Sequence, residues 1–590
     1  MRSQNTNAKT VSKQMLRLLP VQILLAAVGA INGIVSAFFA SNYISVNAMT
    51  AVGLYAPTQT LIQAFIAMLS GGAAILCGQY WGRNQQDKVQ NVFSLSILFA
   101  LALGLLFTVL ILALAIFDLT GLFTGDPAVR PLLNRYLMGV VVGLVPLMVS
   151  NMLPSFLAME NMNNLTVIAS GVYIAVNAAL DFLFVKVLHM ETFGLALASS
   201  LGLWAYLAVQ AHAFLSGKTS VRFQFKNLYL RDGWEILKIG LPGAVSTGYQ
   251  ALRGIIVNAL LQAFVGVAAI SAFAASNNLM QFFWAIPAGM LTVSRLMLSI
   301  SYGEEDRQTL TDVMRVMFKR FIPMMCVVCA VIILCAEPFT RLFFKDPSEP
   351  VYMMTVWAFR ILPLCMPLAI ICMHFTCYAQ TSGKQVFVHV VSLLDGVVCV
   401  AAFSALLVRP LGINAVYIAN VLNGVVCLLF VLFYAQWNQK RFPTNMEQLM
   451  AIPDSFGAGE DARIDISVQN MDEVLTVSKR VTEFCRRRGI DERRVYLASL
   501  CMEEMAGNIV AHGFTKDRKK HSVDIRVVHK DDTVILRIRD DCVPFNPQER
   551  EEMTGSDDMA KNVGLRIVFQ TAESVEYQYL LGMNVLTMRI

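Results

Sequence analysis

Two groups of polar residues carry the chemistry this sequence offers. The first is Asn177 and Asp181, set in the apolar run VIASGVYIAVNAALDFLFVK (167–186). Read as a helix, Ser170, Tyr173, Asn177 and Asp181 recur at three- and four-residue steps and share one face, while Val, Leu and Phe cover the rest. A carboxylate so placed is costly unless it meets a wet cavity or a partner, so an intramembrane Asp is a functional candidate by default. One turn apart, the carboxamide and the carboxylate offer oxygen ligands to a small cation. The alternative is a bundle-facing hydrogen bonder that only fixes helix packing. The second group lies near the C-terminus. CMEEMAGNIVAHG (501–513) sets Glu504, Asn508 and His512 on one helix face. This suits a water-orienting base, Glu504, beside a Mg²⁺ ligand, Asn508, although a solvated helix face shows the same pattern. IRDDCVPFNP (538–547) ends a strand at Asp540, whose carboxylate can accept from an adenine amino group. KNVGLRIV (561–568) opens a helix at Gly564, where N-terminal N–H groups can face phosphate.

The elements that position these residues follow from composition. With 590 residues, 56% hydrophobic, 15% charged and a mean hydropathy of +0.56, the chain is too apolar for a soluble protein and too long for one domain. A formal charge of +6 without a clustered basic face argues against nucleic acid. Cys326 and Cys329 form a CxxC inside an apolar helix with no nearby His or second pair, and read as packing residues. Arg2, Lys9, Lys13 and Arg17 precede a long apolar run that reads as a first span rather than a signal peptide.

Apolar windows long enough to cross a bilayer fall near 16–41, 52–80, 91–117, 132–158, 165–187, 194–215, 236–264, 270–300, 320–342, 353–378, 386–408 and 413–437. The polar loop 216–233 splits these twelve spans into two sets of six. Basic residues favour the N-terminal side of the membrane by roughly three to one, which predicts both termini in the cytoplasm. The two halves echo each other: a shift of 221 sets Gly82 on Gly303, and one of 218 sets Asn177 on Asp395. Parallel copies with an even number of spans imply a twofold along the membrane normal with a cavity between bundles. Arg253, Arg295, Arg360 and Asp395 are further intramembrane charges of the second half. Arg253 and Arg295 either face that cavity, disfavouring cationic substrates, or pair with Asp395, backbone carbonyls or headgroups. The expected organisation is a cytoplasmic segment 1–14, a first half 15–233, a second half 234–437, a linker or membrane-face collar 438–463 and a domain 464–590.

In that last domain, alternation in 464–469, 522–528, 533–540, 573–579 and 584–590 predicts strands. Helical periods fit 472–488, 492–512 and 563–571, which together make an α/β sandwich. No G-x-x-x-x-G-K-[ST] motif occurs, which argues against pump-type ATP drive.

NAMTAVGLYAPTQTLIQAFIAMLSGGAAILCGQYWGRNQQDKV (47–89), NAALDFLFV (177–185) and FGLALASSLG (193–202) resemble the multidrug and toxic compound extrusion (MATE) transporters over roughly residues 15–437. The resemblance implies a twelve-helix antiporter that expels amphiphiles in exchange for Na⁺ or H⁺, with Asn177 and Asp181 as coupling residues of the fifth helix. Many members carry an Asp late in the first helix. Ser36 stands there instead, which leaves coupling to Asp181, helped by Asp395. The order of the three C-terminal motifs resembles the Bergerat ATP-binding domain of histidine kinases, and within it the anti-sigma-factor serine-kinase branch. That likeness implies Glu504 as general base, Asn508 as Mg²⁺ ligand, Asp540 as adenine reader and Gly564 as phosphate-loop glycine. Two departures stand out: the usual D-x-G reads Asp540-Asp541-Cys542, and the usual glycine pair reads Lys561-Asn562, where Lys561 can meet a phosphate as a point charge.

These readings describe a membrane exporter of amphiphilic small molecules, coupled to Na⁺ or H⁺, with a tethered cytoplasmic domain that binds ATP and Mg²⁺. One alternative is a membrane-anchored serine/threonine kinase acting on a cytoplasmic anti-anti-sigma-like partner. The other is a flippase for a lipid-linked sugar.

Overall fold

The computed structural model describes residues 4–44, 46–225, 228–514, 521, 523–530, 532–548 and 563–590. Among the described residues, ten helices are long and apolar enough to cross a membrane, or eleven when the bent pair Arg130–Val141 and Leu144–Met159 counts as one span. The seventh expected span forms a 35-residue helix, Leu230–Phe264, yet falls outside that set. Its length suffices, but Ser246, Thr247, Gln250 and Arg253 on its inner side line a cavity and lower its hydropathy. Helical segments therefore occupy all twelve expected windows, in the expected order. Three of the singled-out polar residues adjoin π-helical turns: Asp181 precedes Phe182–Val187, Asp395 lies within Leu394–Val398, and Asn508 precedes Ile509–Gly513. Such turns re-aim side chains and recur at functional positions.

The two halves meet where small residues let backbones touch. The second crossing (Val46–Leu54 continuing as Ala56–Gly82) packs on the seventh and on the eighth, Val267–Gly303. A Cβ at Gly240 would collide with the carbonyl oxygen of Met68, and one at Gly72 with that of Ile236. Gly82 and Gly303, which the 221-residue shift superposes, abut each other across this seam, as twofold-related partners at an axis must. Gly240→Ala should cost about 1–3 kcal/mol through overpacking. The readout is a lowered Tm of the detergent-purified protein, with Gly248→Ala, which meets open space, as the control. Equal Tm values for the two variants would contradict so tight a seam.

The C-terminal domain carries a five-stranded antiparallel sheet: β1 (Arg463–Val468), β2 (Val523–Lys530), β3 (Thr533–Asp540), β4 (Ser574–Leu580) and β5 (Met583–Arg589), in the order β1-β2-β3-β5-β4. All five expected strands form. Val523, Ile525, Val527, Leu536 and Ile538 alternate inward and share a core with Val477, Val481 and Phe484 of the helix Met471–Arg487. Asn470 caps that helix by accepting from the Glu473 amide at 3.0 Å, and Asp491 caps Glu492–Asn508 by accepting from Arg493 and Arg494.

The other face of the sheet docks on the membrane bundle. Arg526 and Arg539 both pair with Asp306, which is fully buried in the loop after the eighth crossing. Glu304 pairs with Arg537 at 3.5 Å and also with Arg539, while Lys530 meets Glu305. Burial alone would raise the pKa of Asp306, but the charges of Arg526, Arg539 and Arg537 outweigh it and hold the carboxyl far below the usual range. First-half contacts join in: Leu581 N donates to Met159 O at 3.1 Å, Asn161 to the Tyr579 hydroxyl at 3.0 Å, and Lys13 Nζ reaches Asp541 at 2.6 Å. The domain thus grips one end of both halves. The connecting segment is a docked collar, with Arg307 on Glu447 at 2.7 Å and Lys384 on the carbonyls of Met450 and Ala451.

Candidate functional site

Asn177 and Asp181 lie on one face of the helix Asn163–Asp181, and both are fully buried against the first crossing, Gln4–Tyr43. Asn177 Nδ2 donates to Asn32 Oδ1 at 2.7 Å and to Asp181 Oδ2 at 3.2 Å. Ser36 Oγ donates to Asp181 Oδ2 at 3.3 Å, and Asn32 Nδ2 donates to the Tyr173 hydroxyl at 2.9 Å. Two buried oxygens, Asn177 Oδ1 and Asp181 Oδ1, have no hydrogen-bond partner among the described residues. An orphaned buried acceptor is costly. Two of them one turn apart, with the Ser36 hydroxyl beside them, fit a hard cation that takes oxygen donors, or a proton on Asp181. Ser36, the departure from the family pattern, sets a hydroxyl beside Asp181 in place of a second charge. In this conformation the carboxylate meets a partner rather than a wet cavity, since the first crossing covers it.

Asp395 belongs elsewhere. It lines a cavity of about 780 Å³ bounded chiefly by the seventh, eighth, tenth and eleventh crossings. Its Oδ1 accepts from Asn423 Nδ2 at 2.8 Å, and its carboxylate lies within 4.8 Å of the Cys372 and Cys427 sulfurs. Two thiols beside a carboxylate suit a soft ion better than Na⁺, so Asp395 does not share the oxygen set of Asp181. Among the other intramembrane charges, Arg360 faces Glu337 at 3.3 Å, and Arg253 donates to the backbone oxygen of Asp395 at 3.4 Å.

In the C-terminal domain the motifs converge at one end of the sandwich. The helix Glu492–Asn508 packs against both β3 and the helix Val563–Thr571, and the Cys501 sulfur meets the Thr571 hydroxyl at 3.5 Å. Glu504 and Asn508 are half-buried on that helix. Asp540 ends β3, buried, with Oδ1 accepting from Asn584 Nδ2 at 2.7 Å and from the Cys542 amide at 3.0 Å. Burial raises its pKa. Cys542, where the family has glycine, is buried with its sulfur towards Gly513. Gly564 lies in the first turn of Val563–Thr571, whereas Lys561 lies outside the described residues. A half-exposed carboxylate one turn from a carboxamide fits Mg²⁺ held through Asn508, with Glu504 placed to orient water. Glu504→Gln is expected to lower ATP turnover by about 10²–10⁴-fold while leaving nucleotide affinity nearly intact, and Asn508→Ala to remove the Mg²⁺ dependence of binding. Loss of nucleotide affinity in Glu504→Gln would contradict these roles.

Sequence reasoning missed three features. The partners Asn32 and Ser36 are signalled only by their four-residue spacing in the first crossing. The docking face is signalled by Arg526, Arg537 and Arg539 at alternate strand positions. Its acidic counterpart, Glu304-Glu305-Asp306, went unremarked in the loop after the eighth crossing.

The comparisons agree with this architecture. The MatE family model matches residues 23–183 and 242–406, and a histidine kinase-like ATPase domain model matches 468–590. No curated protein matches the sequence. The structure of a multidrug resistance MATE family transporter of the MOP superfamily, in an outward-facing conformation, is similar with a TM-score of 0.66 at 21% identity, over 71% of this chain and 94% of that one. A MOP superfamily transporter from Pyrococcus furiosus is similar to the same degree, with a TM-score of 0.66 at 21% identity over 71% of this chain and 95% of its own. With over half of its length matched by the family model, and with the bundle and sheet described above, the chain belongs to the MatE family of multi-pass membrane transporters and carries a histidine kinase-like ATPase domain at its C-terminal end.

Proposed function

We propose that this protein exports an amphiphilic small molecule in exchange for Na⁺ or H⁺, and that its ATP-binding domain, docked on the cytoplasmic face, regulates that exchange. The carrying observation is the pair of unpartnered oxygens on Asn177 and Asp181, buried between the first and fifth crossings. Binding of a cation there offsets the cost of the buried carboxylate, and its release favours movement of the first crossing, so ion occupancy biases which face the bundles open. The regulatory part rests on the sheet that contacts both halves at one end, where any rocking must strain the ion pairs of Glu304 and Asp306. Cytoplasmic placement of that end is supported by the excess of basic residues in its loops and by the need for ATP.

Thermal unfolding of the purified protein tests the ion site. With Na⁺ coupling, replacing K⁺ by Na⁺ raises the Tm of the wild type and not of Asp181→Asn, because a ligand that binds only the folded state stabilises it. With H⁺ coupling, the Tm difference between wild type and Asp181→Asn changes with pH instead. If neither Na⁺ nor pH separates the two proteins, the ion-exchange reading fails.

A further inference from the structure

The 780 Å³ cavity of the second half has an unbalanced charge. Its charged lining residues among those described are Arg253 on the seventh crossing, Arg295 on the eighth and Asp395 on the eleventh, two cations against one anion. The anion does not neutralise either cation: Asp395 Oδ1 accepts from Asn423, and Arg253 donates to the Asp395 main-chain oxygen rather than to its carboxylate. Among the described residues, neither Arg253 nor Arg295 lies within 4.0 Å of a carboxylate. Arg295 has the Cys377 thiol as a neighbour, reaches towards Gly71 of the first half, and keeps its Nε buried without a hydrogen-bond partner. An unpaired guanidinium at membrane depth is costly unless water or a ligand supplies the counter-charge. The rest of the wall carries Phe273, Met280, Trp284, Leu291 and Leu362 beside Asn277 and Gln281. That mixture of apolar surface with a few polar groups, at this volume, is what a drug-sized ligand needs.

We infer that this cavity is a binding site for an anionic amphiphile, a phosphate or carboxylate head on a single apolar tail, drawn in by the net positive charge of Arg253 and Arg295. The planar guanidinium fork matches the oxygens of either head group. The tail lies against Trp284, Phe273 and Leu291. The substrate and the coupling ion therefore occupy separate places, the anion in the second half and the cation at Asp181 in the first. This assignment deepens the exporter reading and rests on it only in taking the cavity as the transport route.

The test is equilibrium binding to the purified full-length protein of two fluorescent probes with one tail, an alkyl phosphate and the matching alkyl trimethylammonium. The phosphate probe should bind at least about tenfold more tightly. Arg253→Gln and Arg295→Gln should each remove most of that preference, while the Lys variants restore part of it. A two-chain phosphatidic lipid in nanodiscs serves as a second arm. Competition by the single-chain phosphate alone assigns a soluble amphiphile, and competition by the lipid assigns a headgroup. Equal or tighter binding of the ammonium probe, or a preference untouched by both Gln variants, would overturn the proposal. Asp181→Asn separates the two readings, because it should lower ion-driven export by the roughly 5–150-fold of ordinary coupling and leave the phosphate preference intact. A wild type that binds the phosphate selectively but never transports it would sink the exporter reading alone.

Discussion

Asp181→Asn is expected to reduce ion-driven export by about 5–150-fold, the span of ordinary coupling free energies, without unfolding the protein. Asn is close to Asp in volume, and Asp181 Oδ2 is held by Ser36 and Asn177 through bonds that a carbonyl oxygen can also accept. The substitution removes the titratable negative charge while packing stays the same. If cation and substrate act on one conformational equilibrium, loss of the cation's differential affinity removes the coupling in both directions. Asn177→Ala should have a smaller effect on export and a larger one on stability, because it strips a donor from the buried Asn32 oxygen and leaves it unpaired. Export by Asp181→Asn at the wild-type rate in ion-loaded vesicles would contradict the assignment, whichever ion is coupled.

Asp306→Ala is expected to release the C-terminal domain from the bundle at a cost of about 3–5 kcal/mol, the usual effect of removing one member of a buried ion pair. Arg526, buried, and Arg539, half-buried, would lose their shared partner, leaving Arg526 with the carboxylate of Asp465 and Arg539 with that of Glu304. Arg526→Ala should act in the same direction, and the double variant should cost less than the sum of the two, since both remove one interaction. The pH dependence follows from the sign of the shift. The folded-state pKa of Asp306 is depressed, so its contribution is fully present above its unfolded pKa near about 4 and is lost as pH falls through the folded value. Docking should therefore be constant from mildly acidic to alkaline pH. Asp541 follows the same rule: burial works to raise its pKa, but hydrogen bonds from Lys13 and His521 and their charges outweigh it. Hydrogen exchange at β2 and β3 reads the release. Unchanged protection in Asp306→Ala would show that the sheet does not depend on this contact.

Much of the molecule was legible because each element answers to a local rule. Apolar windows at bilayer length gave the crossings, and even the exception at Leu230–Phe264 has a cause, since cavity-facing polar side chains dilute its hydropathy. Period-two alternation in TVILRIRD marked β3, and the pairing of Asp540 with Asn584 then brings the adenine-reading candidate beside a residue 44 positions away. What stayed hidden is long-range. Nothing local says that Asn32 will meet Asn177, or that the arginines of one sheet face will close on a three-residue acidic loop. Charged alternate positions suit a watery face and a docked one equally, because a docked domain can use the same pattern to bury ion pairs. The environment of Asp181 was open for a related reason: the sequence marks a polar stripe but not which neighbouring crossing lies over it.

The most direct test is export of a fluorescent amphiphile from proteoliposomes holding the full chain in a known orientation, under an imposed Na⁺ or H⁺ gradient, with Mg²⁺–ATP present or absent on the side of the C-terminal domain. Export should require one of the two gradients, run down it with the ion moving opposite to the substrate, and change in rate with nucleotide in wild type but not in Asp306→Ala. Substrate movement that ignores both gradients and is driven by ATP alone would contradict the account.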